Sequence, residues 1–391
     1  MRYVTAQQAA AALGVNLNTL YAYVSRGMLA SSEGEGPPSR GAAGVTKGTG
    51  KGRGRLYRWD EVERLRDRKR KPHEVARQAL QWGMPICDSA LTQIADGRLY
   101  YRGRDAIRLA REATLFEVAA LLWLGDLHEP LPRERRNTAP APSRGDLGSD
   151  FLSRALSWLG HQMEHDPQAW DLRPAALVRT GVRIVDGLAM LIDRQPGKKW
   201  TLPGLPQPQL LEEMLVLYAD HELNASAFTA RCVAGTGSNP YAAVMAALCA
   251  LSGHRHGGAS AQVESLLREA ESTGGKETLV ARLRRGEGVP GFGHPLYPDG
   301  DPRARAILAR IEPEPLVREL IEAGRELLSL EPSIDLAAVA ACRSLKLPDG
   351  TAFSLFALGR SVGWVAHCLE QHAGGQMIRP RANYVGPPPM D

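Results

Sequence analysis

Residues 252–259 read SGHRHGGA, and residues 286–304 read GEGVPGFGHPLYPDGDPRA. Both stretches place histidines beside glycines, with His254 and His256 in the first and His294 in the second. Each stretch lies between segments with helical periodicity, so these histidines are predicted to lie in loops that connect helices. Because glycine has no side chain, a ligand can approach the backbone of such loops closely. The two loops are therefore the first candidates for a functional site.

The chain around these loops is predicted to be mainly α-helical, because apolar residues recur at helical spacing in most segments from residue 105 onward. A short β-ribbon is predicted before the helices, from residues 84–89 and 96–101, with Asp96-Gly97 as a turn signal. Residues 132–149 are rich in proline and charge and are predicted to form an exposed loop. The predicted helices cover residues 105–111, 115–124, 151–161, 175–192, 209–220, 226–234, 241–251, 259–270, 276–285, 303–311, 315–328, 334–345 and 352–371.

The composition restricts the class of protein. With 391 residues, of which 43% are hydrophobic and 23% charged, the chain is typical of a soluble globular protein with two or three domains. Its five cysteines form no CxxC pair and no Cys/His cluster, so we expect neither a disulfide framework nor a metal site. We found no apolar run of the roughly 20 residues that span a bilayer, and no signal peptide. The predicted location is the cytoplasm, without a membrane partner.

Charge is unevenly distributed along the chain. Residues 1–71 contain 14 Lys and Arg against 6 Asp and Glu, a surplus of eight positive charges. Residues 72–391 contain 34 against 37, a surplus of three negative charges. We therefore divide the chain into a basic N-terminal domain, 1–71, and a larger domain, 72–391. The basic domain is expected to meet a polyanion.

The N-terminal domain has the pattern of a helix, a short turn and a second helix, over residues 5–13 and 18–26. A Gly/Ser/Pro-rich stretch follows at residues 31–54 and is predicted to be irregular. Residues 55–59 are then predicted to form a strand and residues 61–71 a third, basic helix. The sequences TAQQAAAALGVNLNTLYAYVSRGML and GRLYRWDEVERLRDRKR resemble winged helix-turn-helix domains of the MerR and phage-excisionase type.

That resemblance implies a DNA-binding surface on the N-terminal domain. The residues expected to face the major groove are Asn16, Asn18, Thr19 and Tyr21. The residues expected to contact phosphates are Arg26, Arg53, Arg55 and Arg58. The residue pattern leaves two alternatives open, a solvated basic appendage and a module that docks onto another protein.

Seven sequence motifs follow one another along residues 84–386. In chain order they are IADGRLYYRGRDAIRLAREATLFEVAALLWLGDL, DHELNASAFTARCVAGTGSNPYAAV, SGHRHGGA, GEGVPGFGHPLYPDGDPRA, PSIDLAAVAACRSLKLP, ALGRSVGWVAHCLEQ and IRPRANYVG. In type and order they resemble the signatures of the citrate synthase family. The resemblance implies an all-helical body with a large and a small subdomain.

The family reaction joins an acyl-CoA thioester to a 2-oxo acid. The resemblance implies that acetyl-CoA, oxaloacetate and water give citrate and CoA, as in the tricarboxylic acid cycle, without a cofactor other than the CoA substrate itself. Such a condensation needs a base for a weakly acidic proton and a donor to the thioester oxygen. By motif, Asp335 corresponds to the base, His256 to that donor and His294 to the residue that polarises the keto carbonyl. His256 precedes a helix whose positive end disfavours an imidazolium ring.

Other residues correspond to substrate-binding positions of the family. The two carboxylates of oxaloacetate suit arginine side chains. The residues assigned to oxaloacetate are His221, His294, Arg303, Arg360 and Arg379. The residues assigned to CoA are Val289, Pro290, Gly291, Phe292 and Gly293. In the family, the arginine that matches Arg379 enters the active site of the partner subunit, so the resemblance implies a homodimer.

The motifs leave more than one function open. Pro295 and Pro298, in the segment Gly-His-Pro-Leu-Tyr-Pro, make the second loop more similar to 2-methylcitrate synthases. Use of propionyl-CoA is therefore an alternative, because one methylene changes pocket binding by only about 1–3 kcal/mol. A third alternative is a metabolite-sensing, DNA-binding regulator built on the same body. The presence of His256, His294 and Asp335 favours catalysis, whereas the basic N-terminal domain favours a nucleic-acid role.

Overall fold

The computed structural model describes residues 3–15, 17–25, 29, 31–33, 55–59, 61–63, 87–132, 150–192 and 207–389. The chain divides into two compact units, Met1–Asp88 with Arg381–Asp391, and Ser89–Pro380. Several sequence predictions lie outside the described residues. These are Asn16, the side chain of Asn18, Arg26, Arg53, the boundary at residues 71 and 72, residues 64–71 of the third N-terminal helix, and residues 133–149 of the predicted loop.

The described residues of the first unit include a three-stranded antiparallel sheet and two complete helices. The strands are β1 (Tyr3–Thr5), β2 (Ser31–Glu33) and β3 (Arg55–Arg58), in the order β1-β3-β2, and the helices are α1 (Ala6–Leu13) and α2 (Leu17–Ser25). Thr5 caps α1 and exchanges hydrogen bonds with Gln8 in a capping box. A small core forms around Val4, Leu20 and Tyr57. Both predicted helices are present, and the winged helix-turn-helix assignment stays a prediction.

The prediction of irregular chain at residues 31–54 was wrong at its start. Strand β2 pairs with β3, and Ser32 lies opposite Leu56. The sequence of β2 is polar and has no alternation, so its extended form depends on the partner strand and not on its own pattern.

The second unit begins with a ribbon of β4 (Thr92–Ala95), β5 (Arg98–Tyr101) and β6 (Arg104–Asp105). The predicted turn is confirmed, since Asp96 and Gly97 both have positive φ, 50° and 69°. For residues 87–89 the predicted first strand was wrong, because these residues are not in a strand, and residues 84–86 lie outside the described part. Strand β4, a few residues later, pairs with β5 instead.

All thirteen helices predicted from periodicity in the second unit are present. Their ends differ from the prediction by a few residues, because caps and packing rather than periodicity decide where a helix stops. The observed helices are α3 (Ala106–Glu112), α4 (Leu115–Leu124), α5 (Phe151–His165), α6 (Pro174–Leu191), α7 (Pro208–Tyr218), α8 (Ala225–Ala234), α9 (Pro240–Leu251), α10 (Ala259–Thr273), α11 (Gly275–Arg284), α12 (Pro302–Leu308), α13 (Pro315–Leu328), α14 (Ile334–Ser344) and α15 (Thr351–Gly374).

Helix α15 lies at the centre of this unit. It packs against α4, α6, α7, α8 and α9, and nearly every residue from Thr351 to Cys368 is buried. By length and composition α15 could cross a membrane, so the prediction that no apolar run reaches this length was wrong. However, 89% of its apolar window is buried inside the protein. A helix that is apolar on all sides and covered by neighbours is a core helix. Two predicted site residues lie on or beside it: Arg360 on α15 itself, and His221 just after α7.

Candidate active site

A short antiparallel pairing brings two distant motifs together. The backbone N–H of Gly293 donates to Glu331 O at 2.9 Å, and that of Ser333 donates to Gly291 O at 2.8 Å. Asp335 follows immediately, in the first turn of α14. The segment predicted to bind CoA, residues 289–293, therefore lies beside the start of the helix that carries the predicted base. A cavity of about 360 Å³ adjoins this segment, lined by Gln262, Ser265, Arg282, Gly288, Val289 and Pro290.

Asp335 is a half-buried carboxyl group that is harder to ionise than usual. Burial raises the pKa of Asp335 to about 6, although the nearby Arg303 charge and a hydrogen bond from Ser333 act in the opposite direction. A carboxylate with this pKa is a stronger base than an ordinary aspartate and is still mostly ionised at neutral pH. The position fits proton abstraction.

His256 is held by a chain of hydrogen bonds from the core. Its Nε2 lies 2.8 Å from Ser226 Oγ, which accepts a 3.0 Å hydrogen bond from Trp364 Nε1. The ring edge faces Phe356, with centroids 6.2 Å apart. Burial and the Arg360 charge lower the pKa of His256 to about 3, so the ring is neutral at physiological pH. A neutral, fixed imidazole can act as a hydrogen-bond donor or acceptor without carrying a charge.

His294 and His221 form a second group with Tyr297. The two imidazole rings meet edge to face at 5.2 Å, and His221 Nε2 lies 3.0 Å from the Tyr297 hydroxyl. Burial, together with the Arg303 charge, lowers the pKa of His294 to about 4 and holds that of His221 well below its usual range. His294 Nδ1 accepts a hydrogen bond from Leu296 N–H at 3.2 Å, which places the ring proton on Nε2.

Arg303 is fully enclosed and paired with Asp301. Its Nε and Nη2 donate to the two carboxylate oxygens at 3.0 and 2.7 Å, and its guanidinium lies 5.4 Å from the centre of the Tyr297 ring. The charge of Arg303 holds the pKa of Asp301 below its usual range although burial acts to raise it. The bidentate pair fixes the plane of the guanidinium.

Arg360 is the second buried arginine. Its Nε donates to Tyr218 O at 2.7 Å, and its guanidinium lies 4.8 Å from the centre of the Phe356 ring. Burial lowers the pKa of Arg360 to about 10, and the charge of Asp220 opposes that effect. The Arg360 side chain therefore remains charged at neutral pH. Within the described residues, its two terminal nitrogens make no hydrogen bond, so they remain available to an anion.

The structure brings most of the predicted site residues together. The charges of Arg303 and Arg360 both act on His221, whose ring meets that of His294. Arg303 also acts on Asp335, and Arg360 on His256. Arg379 is not part of this group. It lies in the exposed segment after α15, and within the described part of the chain no hydrogen bond or ion pair joins it to the other predicted residues.

Comparison with known proteins agrees with this arrangement. The profile described as "Citrate synthase, C-terminal domain" matches residues 79–145 and 200–381. Citrate synthase 2 of Bacillus subtilis is 31% identical over 361 residues, 78% of this chain and 95% of that protein. The chain belongs to the citrate synthase family. A Bacillus subtilis protein named citrate/2-methylcitrate synthase is 36% identical over 198 residues, 48% of this chain and 53% of that protein.

The fold of the second unit is also that of the family. The crystal structure of citrate synthase from Thermotoga maritima aligns with a TM-score of 0.63 and 26% identity, covering 79% of this chain and 96% of that chain. The predicted mainly α, citrate-synthase-like fold is therefore confirmed.

Several residues around the citrate synthase site were not assigned from the sequence. Asn224 and Ser226 lie within a quoted motif, DHELNASAF, but their roles depend on contacts with His256 and Trp364. Asp301 and Tyr297 lie within the second histidine loop. The signal that could have identified these residues is a polar side chain within one of the quoted motifs, because such a side chain needs a hydrogen-bond partner when it is buried.

The described residues of the predicted DNA-binding surface lie in the first unit. Tyr21 on α2 is 42% exposed. Arg55 and Arg58 lie on β3, and Arg58 is 3.7 Å from Glu61. Thr19, on α2, is half-buried. The positions are compatible with a surface role, and the DNA-binding assignment stays a prediction.

Proposed function

We propose that the site condenses acetyl-CoA with oxaloacetate and water to give citrate and CoA. The chain is an acyltransferase of the citrate synthase type, as its 31% identity to a relative covered over 95% of its length shows. The observation that supports this use of the site is the grouping of Asp335, two neutral imidazoles and two buried arginines. The site thus offers a base, two hydrogen-bonding rings and two cations for a dicarboxylate.

In the first step, Asp335 removes a proton from the carbon beside the thioester carbonyl. The C–H electron pair moves into an enolate, and the thioester oxygen gains negative charge. His256 donates a hydrogen bond to that oxygen. A neutral imidazole suits this role because its N–H is a weak acid, as the enol is, so the two can share a hydrogen bond without a full proton transfer.

The donor role of His256 requires one particular tautomer of its ring. Asn224 Oδ1 already accepts from the backbone N–H groups of Ser226 and Ala227, both at 3.1 Å. Ser226 Oγ accepts from Trp364, which leaves the hydroxyl proton for either Asn224 Oδ1 or His256 Nε2. In the structure the Ser226 hydroxyl donates to Asn224 Oδ1 at 2.8 Å, and the donor role proposed for His256 requires that hydroxyl to donate to Nε2 instead during the reaction. The ring proton of His256 is then on Nδ1, ready for the substrate oxygen.

In the second step, the enolate carbon bonds to the keto carbon of oxaloacetate, and the keto oxygen becomes an alkoxide. His294 donates from Nε2 to that oxygen and supplies its proton. The proton that Asp335 took up then restores the neutral ring before the next cycle. Arg303 and Arg360 bind the carboxylates, with His221 beside the keto group. Water then cleaves the thioester C–S bond of the adduct, and CoA leaves as the thiol.

Propionyl-CoA is the second candidate substrate. The partial match to a citrate/2-methylcitrate synthase and the sequence Gly-His-Pro-Leu-Tyr support it. Incubation with oxaloacetate and an equimolar mixture of both thioesters, followed by mass spectrometry, measures the ratio of citrate to 2-methylcitrate. A ratio above one supports acetyl-CoA as the preferred substrate, and a ratio below one reverses the assignment.

The active form is proposed to be a homodimer in which Arg379 enters the partner's site. Helix α9 supports this assembly, because one face of an otherwise buried helix carries small side chains that remain partly exposed, at Ala242, Ala246, Cys249 and Ala250. Small residues allow two helices to approach closely.

Subunit complementation tests this arrangement. Asp335→Asn and Arg379→Ala chains carrying different tags are co-expressed, and heterodimers are purified on both tags. If Arg379 acts across the interface, one of the two sites is intact, and the heterodimer has about half of wild-type activity. If Arg379 acts within its own subunit, neither site is intact and the heterodimer is inactive.

The N-terminal unit is proposed to be a winged helix-turn-helix domain that binds DNA. Its surplus of eight positive charges, the sheet β1-β3-β2 and the exposed Tyr21 support this function. Fluorescence anisotropy with duplex DNA over a range of salt concentrations tests it. Affinity that falls steeply with salt indicates phosphate contacts, and absence of binding at low salt excludes DNA as the partner.

A further inference from the structure

A polar network centred on the buried side chains of Arg231 and Gln371 joins four parts of the second unit. Arg231 on α8 donates from Nε to Gln371 Oε1 at 2.9 Å and from Nη1 to Glu370 Oε2 at 2.6 Å. The other Glu370 oxygen accepts from Ala90 N–H at 2.7 Å. Gln371 in turn donates from Nε2 to Gln376 O at 2.6 Å. Arg231 and Gln371 are 6% and 7% exposed, so the bond between these two side chains is shielded from water.

The last of these bonds crosses the end of α15. The helix stops at Gly374, and Gly375 has a φ of 63°, a conformation that side-chain-bearing residues rarely adopt. Two consecutive glycines would leave the following segment free to swing. The Gln371 amide holds the first carbonyl after them, Gln376 O, and Arg379 is only three residues further on. The network therefore sets the direction in which this segment leaves the helix.

The close packing around Gly235 supports the hydrogen bond between Gln371 and Gln376 as a fixed part of the fold. A Cβ atom at Gly235, just after α8, would lie 3.4 Å from Gln371 Nε2, 3.4 Å from Gln376 O and 3.1 Å from Arg231 O. The absence of a side chain at residue 235 lets the Gln371–Gln376 bond pass close to the end of α8. Both groups of the Gln371 amide are used, one as acceptor from Arg231 and one as donor to Gln376.

We propose that Gln371, oriented by Arg231, is a positioning residue that aims the segment carrying Arg379 at the oxaloacetate site of the partner subunit. This inference depends on the role proposed above for Arg379. Gln371 does not itself contact substrate. Its effect is on oxaloacetate affinity, through the carbonyl of Gln376.

The substitution Gln371→Glu keeps the hydrogen bond from Arg231 and removes the one to Gln376. The glutamate still accepts from Arg231, but its second oxygen faces the carbonyl of Gln376 and cannot donate to it. Gln376→Glu is the matched control, since it makes the same charge change five residues away and leaves the carbonyl in place. We expect the KM for oxaloacetate to rise roughly 3- to 10-fold in Gln371→Glu, with kcat little changed, and to stay within roughly twofold in the control.

A double-mutant cycle with Arg379→Ala identifies the route of the effect. If Gln371 acts through Arg379, the substitution raises KM in the wild-type background and adds nothing in the Arg379→Ala background. An equal increase in both backgrounds refutes the inference, because Gln371 then acts by another route. No increase in Gln371→Glu, while Arg379→Ala alone raises KM, also refutes it.

The KM values also show whether the role proposed for Arg379 is itself wrong. If Arg379→Ala leaves KM unchanged, the role proposed for Arg379 is wrong, and the inference is refuted with it. Hydrogen exchange provides a readout that is independent of catalysis. Amides of residues 376–378 should exchange faster in Gln371→Glu than in the control, whereas those of α8 and α14 should be unchanged. Equal exchange in the two variants refutes the anchoring role.

Discussion

Replacing Asp335 by asparagine is predicted to stabilise the folded protein at neutral pH while removing its activity. The carboxyl group has a pKa of about 6 in the fold, against 3.8 for the free side chain, because burial disfavours its charge. Above pH 6 the group is ionised in both states, and the difference in pKa corresponds to about 3 kcal/mol that opposes folding. A neutral amide of the same shape does not carry this cost.

The two pKa values of Asp335 also determine how the stability difference between the variant and the wild type changes with pH. As pH falls from 6 to 3.8, the folded protein binds a proton before the unfolded chain does, so the cost of ionised Asp335 disappears. The stability difference between Asp335→Asn and wild type should therefore be about 2–3 kcal/mol at pH 7.5 and close to zero near pH 4.

Urea unfolding of both proteins at one protein concentration, followed by circular dichroism at the two pH values, measures this difference. Asp349→Asn serves as control, because Asp349 is exposed and its nearest ion-pair partner, Arg268, is 4.0 Å away. We expect the control to change stability by less than about 0.5 kcal/mol at either pH. If Asp335→Asn is less stable than wild type at pH 7.5, or equally stabilised at both pH values, the account of a desolvated base is wrong.

Three further predictions concern the same site. Below pH 6, kcat/KM of the wild type should fall about tenfold per pH unit, since Asp335 must be ionised, and a profile that is flat to pH 5 would contradict this. Ser226→Ala should lower kcat roughly 10- to 100-fold because His256 loses its partner, whereas Ser361→Ala, a buried serine bonded within α15, should have little effect. Arg303→Lys should raise the KM for oxaloacetate at least roughly tenfold, because a lysine loses the bidentate geometry with Asp301, and an unchanged KM would remove Arg303 from the binding site.

The helices of the second unit could be predicted from the sequence because their apolar periodicity is a local signal. Helix α15 was found from its own residues, and so were α9 and α14. Strand β2 could not be predicted, since Ser31–Glu33 becomes extended only by pairing with β3, more than twenty residues later. The first ribbon strand was misplaced for a similar reason, because pairing with β5 decides which residues are extended.

Some residues of the candidate site could likewise be identified from the sequence, and others could not. His256, His294 and Asp335 lie in short motifs, so the sequence could single them out. Ser226 and Trp364 are 138 residues apart, and only folding brings them to one face of His256. The contact between Arg231 and Gln371 spans 140 residues. Such contacts depend on how α8 and α15 pack, which no local pattern encodes. The roles of all these residues stay predictions until tested.

Release of free CoA thiol is a direct measure of whether Asp335 drives the condensation of an acyl-CoA with oxaloacetate. The purified full chain is incubated with acetyl-CoA or propionyl-CoA, with and without oxaloacetate, and the thiol is measured for wild type, Asp335→Asn and Asp349→Asn. We expect oxaloacetate-dependent release by wild type and Asp349→Asn, and loss of release in a folded Asp335→Asn protein. Undiminished release by Asp335→Asn, or none by wild type with either acetyl-CoA or propionyl-CoA, would contradict this expectation.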